Sequence, residues 1–348
     1  MSETAQSSHQ ADGEDDNRHL PARIEDRFHR FREKRARRRG LTPIAMPFTG
    51  YGSTEWIRVL SRVLLAKPDS SDEARSKKIR GWRSFTSIPV GSAKVTITAG
   101  DEIRVIEADR GGVIDEIIPV SLSPGWRSVE LTVEGGGTVR APVFIANPNA
   151  KIGLISDIDD TIMVTALPRP LLAAWNSFVL DEHARAPVAG MSVLYEKLVR
   201  DHPGAPVIYL STGSWNVAAA LTRFLSRHLY PPGSLLLTDW GPTHDRWFRS
   251  GKEHKEHSLE RLVKEFPKLK WILVGDDGQH DEDLYSRFAE TYPDRIAAIA
   301  IRQLTGGEAL LAGGRTKSVR HATKEPIHWV YAPDGAGLAE QLDKLGLL

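Results

Sequence analysis

Cysteine is absent from this chain of 348 residues. That excludes disulfides and thiolate metal sites, and it leaves the redox compartment undetermined. An excess of charge of either sign is also missing. The 46 Lys and Arg residues nearly balance the 45 Asp and Glu residues, for a formal net charge of +1, so no global argument for a nucleic-acid or membrane partner exists and any such argument must be local. No apolar run approaches the ~18 residues of a membrane span. The opening "MSETAQSSHQADGEDDNRHL" has no apolar centre of the kind a signal peptide carries. These absences predict a soluble, cytoplasmic protein that does not bind nucleic acid. There is no internal repeat either, and no low-complexity segment outside the N-terminal tail.

What is present reads in three stretches. Residues 1–40 form a tail. Its first half is too polar and acidic to repay the entropy of ordering. In its second half Ile24, Phe28 and Phe31 recur at helical spacing, among Arg30, Arg32, Lys34, Arg35, Arg37, Arg38 and Arg39, up to Gly40. The preferred reading of residues 24–39 is a solvated helix that docks its three apolar residues on the body of the protein. The other reading is peripheral contact with an anionic bilayer, where each basic residue contributes roughly 1 kcal/mol.

Residues 41–150 hold short runs rich in Val, Ile and Thr, such as "AKVTITAG", "EIRVIEAD" and "SVELTVEG", broken by Gly111-Gly112, Pro124-Gly125 and Gly135-Gly136-Gly137. This predicts a smaller antiparallel β-sandwich. The glycine triplet precedes a strand pattern rather than a helix, so it reads as a hairpin turn and not a phosphate loop. "YGSTEWIRVLSRVLLAK" reads as an amphipathic helix ahead of the strands.

From 151 to 348 strands and helices alternate: "IGLIS", "PVIYLS", "SLLLTD", "KWILVGD", "IAAIAIR" and "IHWVYA" are separated by amphipathic patterns. That predicts an α/β domain with a parallel sheet, whose ligands bind beyond the carboxyl ends of the strands. Asp157, Ser211, Thr212, Asp239, Asp276 and Asp277 all stand at such ends and should converge on one crevice. Two bare carboxylates ~4 Å apart repel by roughly 4 kcal/mol at an effective dielectric near 20, so a cation or a shared proton must intervene. Oxygen-only ligation suits Mg²⁺ better than zinc. Asp157 and Asp159 also place a carboxylate nucleophile two residues from a proton carrier, the pairing that covalent phosphoryl transfer needs.

The segment "DIDDT" (Asp157 to Thr161) resembles the D-x-D-x-T signature of the haloacid dehalogenase superfamily. The later pieces stand in that superfamily's order: Ser211, then Lys255, then "GDDGQHD" (Gly275 to Asp281). "DIDDTI", "STGSW" (Ser211 to Trp215), His254-Lys255 ahead of Phe266-Pro267, and "GDDGQHD" more particularly resemble the catalytic domain of the actin-patch-associated phosphatidate phosphatases, over residues 151 to about 305. One departure is Ser214, where that family usually has proline before the tryptophan.

The resemblance implies a haloacid-dehalogenase-like, Rossmannoid domain and a Mg²⁺-dependent phosphatase acting on phosphatidate. Asp157 would be the nucleophile and Asp159 the acid and base, with Ser211 and Lys255 on the phosphoryl oxygens. The metal would be held by Asp157, the Asp159 main-chain carbonyl and Asp276, supported by Thr161, Asp277 and Asp281. It also implies an open crevice, because residues 162–205 look too short for the superfamily's lid once the helix "MSVLYEKLVRD" is set aside.

Blander readings stand beside these. Asp160 reads as a helix-start residue, His254 and His257 as packed or surface histidines, and the apolar spacing of Leu167, Leu171, Leu172, Trp175, Phe178 and Val179 as core rather than a lipid contact. Trp215 and Trp240 could pack or touch substrate. For function, a phosphatase of a soluble phosphomonoester, a non-catalytic scaffold keeping the fold, and a phospho-acceptor switch remain the alternatives.

Overall fold

A computed structural model of the chain describes residues 31–67, 88–164, 186–238, 244–278, 280–311 and 327–348. Asp239, Trp240 and the apolar series from Leu167 to Val179 lie outside the described residues, as do Ile24 and Phe28.

Residues 31–38 are helical. Phe31 is 64% exposed, so the docking expected of it does not occur, and the small Ala36 is the residue that packs inward. The basic residues from Arg32 to Arg39 are solvated.

Among the described residues nine strands follow: β1 (Thr42–Pro47), β2 (Gly50–Gly52), β3 (Trp56–Ala66), β4 (Ile88–Pro89), β5 (Lys94–Ala99), β6 (Glu102–Glu107), β7 (Val113–Pro119), β8 (Gly125–Val133) and β9 (Thr138–Ile145). They hydrogen-bond into one sheet with the main order β1-β3-β2-β9-β8-β5-β6, while β4 and β7 pair with β3. Every pairing is antiparallel except β2 with β9, so the sheet is mixed where purely antiparallel pairing was expected. The glycine triplet makes the β8–β9 hairpin turn, with Thr132 opposite Thr138.

The helix expected at residues 51–67 is wrong: Trp56–Ala66 is β3. It is the hub of the sheet, pairing with β1 and β2 along one edge and β4 and β7 along the other. Residues from Ile57 to Leu65 are buried almost without a break, on both faces of the strand. A strand covered on both faces loses its two-residue alternation, and its apolar run then mimics a helix.

The remaining strands are β10 (Ile152–Asp157), β11 (Val207–Ser214), β12 (Ser234–Thr238), β13 (Lys270–Asp276), β14 (Ile296–Arg302) and β15 (Trp329–Ala332). They form a wholly parallel sheet in the order β12-β11-β10-β13-β14-β15. The chain runs outward from β10 to β12, then restarts on the other side of β10 with β13. The opening between the loops that leave β10 and β13 is therefore the topological switch point, the usual ligand position in such a sheet.

Helices α1 (Met191–Asp201), α2 (Ala218–Arg227), α3 (His244–Glu265), α4 (Asp281–Thr291), α5 (Gly306–Leu311) and α6 (Gly335–Lys344) complete the region. On α1, Met191, Leu194, Tyr195 and Leu198 recur at helical spacing and are the buried positions, which fixes the face it lays on the sheet. Gly153 in β10 lets the Trp271 ring lie flat against the backbone, since a Cβ there would meet ring carbons at 2.4 Å.

The parallel sheet and the N-terminal sheet share one hydrophobic core. Ile44, Met46, Phe48, Tyr51, Leu60, Leu64 and Val113 belong to the same cluster as Ile155, Leu210, Leu236 and Leu273. A second cluster, built around Ile57, Val59, Val95, Ile97, Ile114 and Leu131, draws its buried residues from positions 36–145 alone, Ala36 of the helix included.

Candidate active site

β10 ends on Asp157, whose residue is 3% exposed. The chain then turns through Ile158 and Ile162, both fully buried, which root the loop in the core and set the carboxylates between them at the mouth of the sheet. Thr161 Oγ1 donates to Asp157 Oδ2 at 3.3 Å.

On β11, Ser211 is fully buried and donates through Oγ to Asp159 Oδ2 at 3.2 Å, while its Oγ accepts the Gly213 N–H at 3.0 Å. The first and second motifs are therefore in direct contact. The serine turn is also pinned from β12, where Thr238 Oγ1 donates to the carbonyls of Thr212 and Gly213 at 2.9 and 3.2 Å. Trp215 next to it is buried and stacks on Phe48 at 4.6 Å between centroids, which settles it as a packing residue.

Lys255 reaches into the same crevice from the middle of α3. Its Nζ lies 2.6 Å from Asp157 Oδ1 and 2.7 Å from Asp281 Oδ1. Asp276 closes β13, and its Oδ1 accepts the Gly278 N–H at 2.6 Å. Asp281 opens α4, and its Oδ2 accepts the Asp276 N–H at 3.4 Å. Gly275 makes this approach possible, since a Cβ there would sit 2.7 Å from Asp281 Oδ2.

Asp157, Asp276 and Asp281 each offer a carboxylate oxygen, and these oxygens lie within 4.8 Å of one another. Asp157 and Asp276, expected at one crevice, stand together there with Asp281. Asp281 is more central than the supporting place expected of it. Asp277 plays a different part, because its Oδ1 accepts the Leu304 N–H at 2.8 Å and its N–H donates to the Arg302 carbonyl at 2.9 Å, tying the β13 loop to the β14 loop. Asp160 does not start a helix. It occupies a turn with a left-handed φ of 57°. His254 is half-buried near the Leu236 carbonyl, and desolvation there pushes its imidazole pKa down to about 4, as befits a packed histidine. His257 is exposed.

The electrostatics follow from the charge count. Three carboxylates against one ammonium leave two formal negative charges uncompensated in a buried place. Burial, then the charge of Asp281, push the Asp157 carboxyl well above its ordinary range, with Lys255 pulling the other way. Burial, then Asp281 and Asp157, do the same to Asp276. Burial disfavours the Lys255 ammonium, but Asp157 and Asp281 outweigh it and hold the proton on more firmly than in water. An all-oxygen set short of two positive charges fits a hard divalent cation.

Residues 152–303 match the family model of the catalytic domain of phosphatidate phosphatase APP1. Phosphatidate phosphatase APP1 of Saccharomyces cerevisiae is 29% identical over 245 residues, covering 66% of this chain and 41% of that protein. An uncharacterized protein of Schizosaccharomyces pombe is 25% identical over 203 residues, covering 55% of this chain and 33% of that one. The chain thus spans less than half the length of these curated relatives. Among solved structures, an uncharacterized protein from Listeria monocytogenes aligns over 57% of this chain and 99% of its own, at 15% identity and a TM-score of 0.34, too low to carry an argument. The matched range contains the "DIDDT", "STGSW" and "GDDGQHD" segments, and it bears out the resemblance read from them.

Proposed function

We propose that this chain is a phosphomonoester hydrolase that converts phosphatidate to diacylglycerol and inorganic phosphate, on a haloacid-dehalogenase-like domain of residues 151–348 preceded by a sandwich-like domain of residues 41–150. The observation that carries the reading is the buried group of Asp157, Asp276 and Asp281 around Lys255, at the switch point of a parallel sheet and inside the range that matches the phosphatidate phosphatase catalytic domain.

In this reading an Asp157 oxygen attacks phosphorus. The bond from phosphorus to the ester oxygen breaks, and Asp159 gives its proton to the departing alcohol. Asp159 then takes a proton from water as that water attacks the aspartyl-phosphate on Asp157, releasing phosphate and restoring both carboxyl groups. Ser211, already bonded to Asp159, and Lys255, already bonded to Asp157, hold the phosphoryl oxygens, since phosphoryl transfer is mostly positioning and charge neutralisation. Thr161 keeps Asp157 turned toward the crevice. Asp157, Asp276 and the Asp159 carbonyl would hold Mg²⁺, with Asp281 shared between the metal and Lys255. Bound there, the ion would neutralise charge on the phosphoryl group and make attack by a carboxylate feasible. Exposed basic residues from Arg32 to Arg39 would favour an anionic lipid surface, where the substrate resides.

The test compares wild type and Asp157→Asn on para-nitrophenyl phosphate and on phosphatidate in detergent micelles, with Mg²⁺ and with chelator. Turnover that needs the metal and vanishes in Asp157→Asn is expected. Metal-independent turnover, or full activity in the variant, overturns the mechanism. A higher kcat/KM for a soluble phosphomonoester than for phosphatidate would move the substrate assignment to the soluble class and leave the chemistry standing.

A further inference from the structure

The catalytic loop contains a conformational oddity that the mechanism above does not use. Asp160 lies between Asp159 and Thr161 and has a φ of 57°, a region that residues with a Cβ rarely occupy, although aspartate tolerates it better than most. Its N–H donates to the Met163 carbonyl at 2.8 Å, closing a tight turn. Its own carbonyl points to the other side, where Arg302 Nη1 donates to it at 2.7 Å.

Arg302 is 5% exposed and is the last residue of β14, in register with Asp276. Each end of its guanidinium is engaged. Nη2 donates to Glu308 Oε1 at 2.7 Å, and Nε donates to the Pro333 carbonyl at 3.3 Å. Its main-chain carbonyl accepts the Asp277 N–H. One buried residue thus connects the loop after β10 with the loops after β13, β14 and β15. The fork is fixed by Glu308 and Pro333 before it reaches Asp160, so it can act as a rigid stop.

We propose that Arg302 is a positioning residue for the reaction: it locks the peptide after Asp160 in its left-handed orientation, and so fixes where Asp159 and Thr161 stand relative to Asp157. The inference rests on the reading of Asp157 and Asp159 as the reacting groups. Without the guanidinium, that peptide is free to flip toward the conformation its Cβ prefers. Thr161 Oγ1 would then leave Asp157 Oδ2, and Asp159 would lose its alignment with Ser211. Binding of the phosphoryl group through Lys255 and Ser211 depends less on this peptide, so the loss should fall on kcat more than on KM.

The test uses Arg302→Lys, which keeps the charge opposite Glu308 but lacks the planar fork that spans three partners. We expect kcat for para-nitrophenyl phosphate to fall about tenfold or more, as small misplacements of reacting groups do, with KM within about twofold. Asp160→Gly should then restore most of that loss in the Arg302→Lys background, because glycine holds a positive φ without help. A purely structural role for Arg302 predicts no such rescue. Wild-type kcat in Arg302→Lys, or an Asp160→Gly effect of equal size in both backgrounds, overturns the proposal.

Should Arg302→Lys not fold, Asp160→Val in the native chain serves the same end. It is expected to cost kcat and spare KM, and unchanged kcat overturns the proposal. Amide hydrogen exchange over residues 158–163 separates this idea from the functional reading. If wild type hydrolyses no phosphomonoester, the phosphatase assignment fails. Faster exchange of that segment in Arg302→Lys would still support the lock, and unchanged exchange would overturn it.

Discussion

Among the described residues, α3 contributes to two clusters of buried or half-buried charge. From its middle Lys255 enters the crevice with Asp157, Asp276 and Asp281. From its C-terminal turns Arg261 and Glu265 meet the N-terminal sheet, where Arg58 of β3 bonds Glu265 Oε1 and Asp115 Oδ1, each at 2.5 Å. Arg261 takes Asp115 Oδ2 at 2.8 Å, and Tyr51 donates to Glu265 Oε2 at 2.8 Å. In this seam two guanidinium groups face two carboxylates, and every carboxylate oxygen has a donor. Burial alone would raise the Asp115 pKa, yet Arg261 and Arg58 outweigh it and hold the carboxyl below its ordinary range. In the crevice the same kinds of group leave an excess of acid, and Asp157 and Asp276 shift upward instead. The seam balances its charges as it stands, whereas the crevice is short of positive charge. Charge balance, more than burial or residue type, separates the seam from the crevice.

The sharpest way to break this contrast is to neutralise one acid in each place. Asp157→Asn should lower kcat at least about 10³-fold, as loss of a covalent nucleophile does. It should leave the thermal midpoint level or slightly higher, because a buried like-charge repulsion is relieved. A large fall in midpoint would mean that Asp157 is structural after all. Arg58→Met should do the reverse. It takes a guanidinium from both Asp115 and Glu265, leaving Asp115 to Arg261 and Glu265 to Tyr51, and should cost about 3 kcal/mol in urea denaturation, while kcat at low temperature stays within about twofold. Loss of activity at full stability would show that the seam also works on the site.

A metal titration comes next in size. Mg²⁺ at 100 times its dissociation constant should add about 2.7 kcal/mol to stability by mass action. Asp276→Asn should abolish that gain. Asp277→Asn should keep it, because the Asp277 carboxylate is committed to the Leu304 N–H. Calorimetric midpoints with and without the ion decide between the two aspartates.

These contrasts also mark what the sequence could reveal. The parallel region was legible because each strand there is a short apolar run that ends in a polar residue, and the site lies at those ends. Asp157, Asp159, Ser211, Lys255 and Asp276 are candidates on that ground or through the motif resemblance. Two kinds of feature were not legible. The strand Trp56–Ala66 hid because burial on both faces erases alternation. Arg58, Arg302 and the central place of Asp281 hid because they depend on partners far along the chain. Arg58 meets Glu265 and Arg302 meets Asp160, and nothing in the local pattern of "WIRVL" or "AIRQL" announces either. Asp281 did leave a trace: Gly275 and Asp281 bracket the fourth motif, and only glycine leaves room for that carboxylate.

The smallest expected effect follows from pH, and its sign differs between the clusters. Asp115 has a folded pKa below its unfolded value near ~3.9, so its contribution is present above that value and is lost as pH falls through the folded pKa. Asp157 and Asp276 have folded pKa values above their unfolded ones, so without metal the crevice is most stable when protonated and loses stability as pH rises from about 4. The seam therefore steepens acid unfolding below about pH 4, and the crevice tilts the curve the other way above it. Urea midpoints between about pH 3 and 7 for wild type, Asp115→Asn and Asp276→Asn separate the two contributions. Asp115→Asn should flatten the acid limb, and Asp276→Asn should flatten the slope above it. Mg²⁺ should erase the crevice slope and leave the acid limb unchanged, because only the crevice lacks positive charge. If both substitutions altered the same limb, the two clusters would share one titration, and the charge-balance distinction between them would be lost.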